Sequence, residues 1–269
     1  MIDFDQEQMK NALLGKRNLA VPELELPVLL VIFAAIGVGS LVKGMTGFGL
    51  PLIAVPFMAP FIGLDHALAV MVLPSLLSNV WIMTAQRAHN PGWARFIPLM
   101  AASLLTIGLG TWVLVRVPER FLLMFMAFWL LAYLVWHFFR RGKDLSLKSQ
   151  KVLGPIIGVM AGFTQGTTGI TTPFVVTYLH ALKLKPQAYV YANAIVYQVF
   201  WIVHGAFLWW FGLFDLGRLW EGVLALIPMA IFLPIGIHFT GRLKHSLFDR
   251  IIIVLMVVLS AWLFYSAVR

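Results

Sequence analysis

The sequence predicts an all-α membrane protein of about eight transmembrane segments, built as two related half-units that each open with a helix broken by glycine and proline. Three observations carry this expectation. Of 269 residues, 61% are hydrophobic and only 12% are charged, roughly half the charged share of an ordinary soluble domain. Apolar runs long enough for a helical crossing of about 20 residues recur along the whole chain. One Gly/Thr/Pro motif occurs twice, once near the start of each half.

Taken in order, the apolar runs lie at 27–57, 61–85, 96–115, 119–140, 152–179, 186–212, 217–241 and 247–267. The first and fifth are too long, and too rich in Gly, Thr and Pro, for one straight helix, so each is expected to be broken or re-entrant. Residues 1–26 carry acids at Asp3 and Asp5 where a signal peptide needs positive charge, and read as a retained interfacial or cytoplasmic segment. A first transmembrane repeat then spans 27–140 and a second 152–269. Between them, 141–151 forms a basic cytoplasmic linker that includes Arg141, Lys143, Lys148 and Lys151. The N-terminus and the even-numbered loops hold the larger share of Lys and Arg, which places both termini in the cytoplasm. Trp93, Trp209, Trp210 and Trp220 fall near span ends, the depth that indole rings prefer.

The formal charge of +9 sits mostly in short loops between apolar runs. It therefore reads as a topology signal and not as a nucleic-acid surface. The absence of cysteine excludes disulfides, thiolate catalysis and cysteine-ligated metal. No histidine pair has the spacing of a zinc helix motif, and no metal or cofactor is expected.

The repeated motif is Gly44-Met45-Thr46-Gly47-Phe48-Gly49-Leu50-Pro51, which returns 122 positions later as Gly166-Thr167-Thr168-Gly169-Ile170-Thr171-Thr172-Pro173. Both copies read G-x-T-G-apolar-x-x-P. Two further landmarks follow in the same order: Asp65-His66-Ala67 with Pro186-Gln187-Ala188, and Ile97-Pro98 with Ile227-Pro228. Paired Gly/Pro interruptions point to the binding site of a transporter. Gly and Pro leave backbone groups outside the helical ladder, and such groups are tolerated at membrane depth only inside protein or beside a watery cavity. Close helix packing is the competing use for these glycines.

Lys43 stands midway along the first broken segment, where insertion of a lysine costs roughly 2.5 to 3.5 kcal/mol. All eleven acids fall in termini, loops or span ends. A buried lysine with no resident counter-charge either loses its proton or faces a cavity in which a mobile anion pairs with it, and the anion is favoured here. Snorkelling to water or a pair with Asp65 is the competing reading. Ser40, Thr46, Gln165, Thr168, Thr171 and Thr172 offer hydroxyl or amide donors. The freed N–H groups around Gly44, Gly47, Gly49, Gly166 and Gly169 suit an oxyanion. Together these residues form the expected substrate site. His204, the deepest histidine, is a candidate for proton coupling.

The motif resembles that of the TauE/SafE, or sulfite exporter, family of membrane permeases. Gly44, Gly47, Phe48 and Gly49 are similar to its Gly-rich opening, and Leu52-Ile53-Ala54-Val55-Pro56 to the apolar tail that follows. Gly162, Gly166 and Gly169 are similar to its looser second copy. Leu50, Pro51, Thr171, Thr172 and Pro173 depart from the pattern. The resemblance implies an inner-membrane permease for a small anion such as sulfite or an organosulfonate, working in export. Uptake of a small carboxylate or other organic anion, and passive anion conduction, are the alternatives. A membrane-embedded enzyme acting on lipid would need carboxylates in the membrane, and the chain lacks them there. The expected partners are thus a small anion, the lipid bilayer and a proton or counter-ion, with no nucleic acid.

Overall fold

A computed structural model describes residues 25–139, 147–239 and 245–269. Most of the expected N-terminal segment, at 1–24, and residues 140–146 of the expected linker region lie outside these. The described chain is all helical, with elements we number α1 (Leu26–Thr46), α2 (Leu50–Ile62), α3 (Leu64–Ala85), α4 (Ile97–Arg116), α5 (Glu119–Phe139), α6 (Leu147–Thr168), α7 (Thr172–Ala181), α8 (Pro186–Trp210), α9 (Leu216–Leu224), α10 (Leu226–Phe239) and α11 (His245–Val268). Two short 3₁₀ turns, Arg87–His89 and Trp93–Phe96, lead from α3 into α4. Five stretches among the described residues are long and apolar enough to cross a membrane: Leu26–Thr46, Leu64–Ala85, Trp93–Arg116, Pro186–Trp210 and Leu216–Phe239. Leu105 and Phe128 lie on the outside, 84% and 71% exposed, as lipid-facing side chains do. Trp209 and Trp210 are likewise outside, at the end of α8.

Both broken segments fold back on themselves. In the first, Gly47 (φ 82) closes α1 and Gly49 (φ 105) opens α2, left-handed conformations that a side chain resists. A Cβ on Gly39 would stand 2.8 Å from the Leu50 carbonyl oxygen and 3.4 Å from the Ala54 Cβ. Residues 15 apart in sequence approach this closely only if α2 runs back along α1. In the second segment Gly169 (φ 69) ends α6. The hydroxyl of Tyr178 in α7 lies 3.2 Å from where a Cβ on Gly154 of α6 would be, so α7 doubles back as well. Pro51 and Pro173 each sit in the first turn of the returning helix, where a missing N–H costs nothing.

The expected seventh segment, 217–241, is two helices that meet at Ala225. The first, α9, is capped by Asp215, whose carboxylate accepts from the Arg218 N–H at 2.9 Å. It is pinned to the start of α3 by an Arg218–Asp65 ion pair of 2.9 Å and a His66–Glu221 contact. Glu119 of α5 accepts from the Leu64 N–H at the same end.

The helices pack as α1 with α10, α4 with α6, α3 with α8 and α5 with α11. Two of these contacts are backbone to backbone. A Cβ on Gly44 would lie 2.4 Å from the Leu233 oxygen and 2.8 Å from the Gly236 Cα. One on Gly166 would lie 2.1 Å from the Ile107 oxygen and 2.8 Å from the Gly110 Cα. Gly236 and Gly110 are as tightly enclosed from the other side, the small-residue packing that lets membrane helices touch.

Adding a methyl at either glycine forces helices apart. Gly44→Ala and Gly166→Ala should each cost about 1–3 kcal/mol, read as a lower unfolding midpoint in detergent. Gly205→Ala, whose nearest neighbour is the Val72 side chain at 3.1 Å, should lose less.

Candidate functional site

The tips of the two hairpins meet at one small cavity of about 10 Å³, enough for about one water. The first tip contributes Lys43, Phe48, Gly49 and Pro51, and the second Gly169, Thr171 and Thr172. Tyr197 and Trp201 of α8 complete the wall.

Lys43 is 2% exposed and reaches across to α3, donating to Ser78 Oγ at 2.8 Å and to Asn79 Oδ1 at 2.5 Å. An ammonium has three donors, and these two neutral acceptors take two of them. Asp65, the other partner considered for Lys43, is instead paired with Arg218. Every buried polar or charged side chain among the described residues other than Lys43 is an alcohol, an amide or the His204 imidazole. The cavity thus borders one basic side chain and no carboxylate.

Each tip is stapled by the same device. The Thr46 hydroxyl lies 2.9 Å from the Val42 carbonyl oxygen and 2.6 Å from that of Phe48, and it accepts from the Phe48 N–H at 3.2 Å. The Thr168 hydroxyl donates to the Thr164 carbonyl at 2.9 Å and accepts from the Ile170 N–H at 3.3 Å. A threonine in the last turn of a helix bonds its own backbone readily, and here it holds the first residues beyond the break. The hydroxyls of Thr46 and Thr168 are therefore engaged within the hairpins.

The remaining sequence-predicted residues divide cleanly. Lys43, Gly49, Gly169, Thr171 and Thr172 reach the cavity, and the Thr171 hydroxyl is buried with no hydrogen-bond partner among the described residues. Gly44 and Gly166 serve helix packing, and Gly47 gives α1 its left-handed cap. Ser40 is fully buried with an unpartnered hydroxyl away from the wall. Gln165 Nε2 lies 3.2 Å from His204 Nδ1, and the His204 ring rests 5.5 Å from that of Trp201. His204 is thus one ring removed from the cavity, with Nε2 unpartnered. The sequence reading did not single out Ser78 and Asn79. Their signal is the polar set Ser75, Ser78 and Asn79 inside an otherwise apolar α3.

The family model of the sulfite exporter TauE/SafE matches residues 31–263 of the chain. The chain belongs to the TauE/SafE family. No curated protein and no solved structure matches it. The matched region of this TauE/SafE member contains both hairpins, the cavity and the α3 and α8 helices that enclose it. Its several apolar crossings make it a multi-pass membrane protein.

Staple and cavity hydroxyls should separate in their effects. Thr46→Val and Thr168→Val each remove bonds that hold a break, and should cost about 1 kcal/mol. Thr171→Val removes a buried hydroxyl that has no partner, and should leave the unfolding midpoint in detergent unchanged or raised.

Proposed function

We propose that this protein is a secondary transporter that binds one small anion, such as sulfite or an organosulfonate, between the two hairpin tips and exports it across the inner membrane. The single observation that carries this reading is a buried lysine, held only by two neutral acceptors, bordering a cavity formed from both broken segments. A buried charge without an ionic partner demands one, and a mobile anion is the partner that a cavity admits. The Thr171 and Thr172 hydroxyls, both at the cavity, supply donors of the kind that oxyanions take.

The sign comes from Lys43 and not from helix ends. At each tip the C-terminus of one helix meets the N-terminus of the next, so the opposed end charges, about half a unit each, largely cancel. The lysine then contributes the charge.

Two related half-units are part of the proposal. The like staples at Thr46 and Thr168 and the reciprocal contacts Gly44–Gly236 and Gly166–Gly110 are what an exchanged, twofold-related pair of hairpins would produce. Transport then proceeds as one half rocks against the other around the site. Both termini are taken as cytoplasmic from the Lys/Arg bias of the loops, and His204 as the candidate for proton coupling. Uptake of a small carboxylate is the second reading, since an ammonium with hydroxyl and N–H donors takes a carboxylate equally well.

Lys43→Gln should abolish sulfite binding while the protein stays folded, read as loss of the stabilisation that ligand gives in thermal unfolding of purified protein. Unchanged stabilisation by sulfite in that variant would sink the site. In proteoliposomes, sulfite flux should saturate with concentration, whereas flux that rises linearly over the same range would indicate a channel. Cysteines introduced at Asp65 and Lys183 should label from opposite sides if the half-units are inverted and from the same side if they are parallel.

A further inference from the structure

Position by position, the two hairpins are alike in backbone and unlike in charge. Gly47 N–H donates to the Lys43 carbonyl at 2.7 Å, and Gly169 N–H donates to the Gln165 carbonyl at 2.9 Å. Both glycines are left-handed, and both are preceded by a staple threonine. Gln165 therefore holds in the second hairpin the place that Lys43 holds in the first, the last turn before the break. Each reaches to the long helix that follows its own hairpin: Lys43 to Ser78 and Asn79 of α3, Gln165 to His204 of α8. The partners of Lys43 are neutral, and no carboxylate is buried among the described residues.

We infer that the site is built for a single negative charge, and that Gln165 makes it so by withholding the second lysine its position would otherwise supply. This inference rests on the anion reading above. Bound to a monoanion, the site and Lys43 sum to zero in a medium where an unbalanced charge is costly. A dianion leaves one negative charge over. Its second charge finds only dipoles at the tips, where opposed helix ends already cancel. Gln165, turned to His204 and neutral, brings no positive charge to the tip that it closes. Discrimination between anions of equal shape then follows from charge, not from pocket size.

Methanesulfonate and sulfate test this, because both are tetrahedral sulfur oxyanions and they differ in charge by one. Binding of each to the purified full-length protein is measured by calorimetry at one pH and one ionic strength. The expected result is methanesulfonate at least 10-fold tighter than sulfate, with Gln165→Lys shrinking or inverting that ratio. Sulfate binding as tightly as methanesulfonate would overturn the charge inference and leave the anion site standing. Failure of both to bind would remove the anion site itself, and the inference with it. A folded Gln165→Lys protein with an unchanged ratio would show that Gln165 does not set the charge. The wild-type comparison needs no variant, so it decides the main point even if Gln165→Lys fails to fold.

Discussion

The rest of this structure depends on how one ammonium is kept inside a membrane bundle. Lys43 lies at the end of α1, where its neighbours in sequence are apolar or glycine, and it is held by Ser78 and Asn79 from α3. Neutral acceptors solvate a cation without cancelling it. Had a carboxylate stood in their place, the pair would be closed and nothing further would be needed. With an alcohol and an amide instead, an ammonium at this place is hydrogen-bonded but has no buried ionic partner among the described residues, which is what the proposed anion would supply.

Holding that lysine in place requires a rigid break, and the break is rigid for reasons that involve no ligand. Gly47 and Gly49 supply the two left-handed residues, Pro51 starts the return helix without wasting a donor, and Thr46 ties the ends together. The second hairpin reaches the same result with Gly169, Pro173 and Thr168. Breaks so stapled keep the few backbone groups that face the cavity in fixed directions. That is the preorganisation the proposed anion, small and strongly hydrated, would need if the loss of its water is to be offset.

Much of this was legible in the sequence because membrane helices obey a strict rule: backbone that leaves the helical ladder must be enclosed. The repeat G-x-T-G-apolar-x-x-P marked both breaks to within a residue or two, and the depth of Lys43 with no acid near it was legible as well. The roles inside the motif were not legible. Thr46 and Thr168 read as ligand donors, but a hydroxyl one turn from a free carbonyl bonds backbone first, and the sequence does not show which way a side chain points. Direction was hidden too, since a broken run such as 27–57 reads the same whether the chain continues across or turns back. Only the approach of Gly39 to Ala54 distinguishes the two. Ser78 and Asn79 were missed because short polar residues in a membrane helix are usually spent on packing.

The small-residue contacts explain why the hairpins can carry a site at all. A broken helix loses ladder bonds and gains entropy, and left alone it would fray. Gly44 against Gly236 and Gly166 against Gly110 bring backbone to within van der Waals distance of backbone, so each hairpin lies flush along a neighbouring helix, α10 in one case and α4 in the other. Neither neighbour belongs to the same half of the sequence as the hairpin it supports. The two halves are thereby interlocked through their most fragile elements. Any motion that exposes the cavity must keep those glycine contacts or exchange them together, because a helix seated at backbone distance cannot slide by less than a full step without collision. A cavity framed in this way is suited to two discrete positions more than to a continuous opening, which fits a carrier better than a channel.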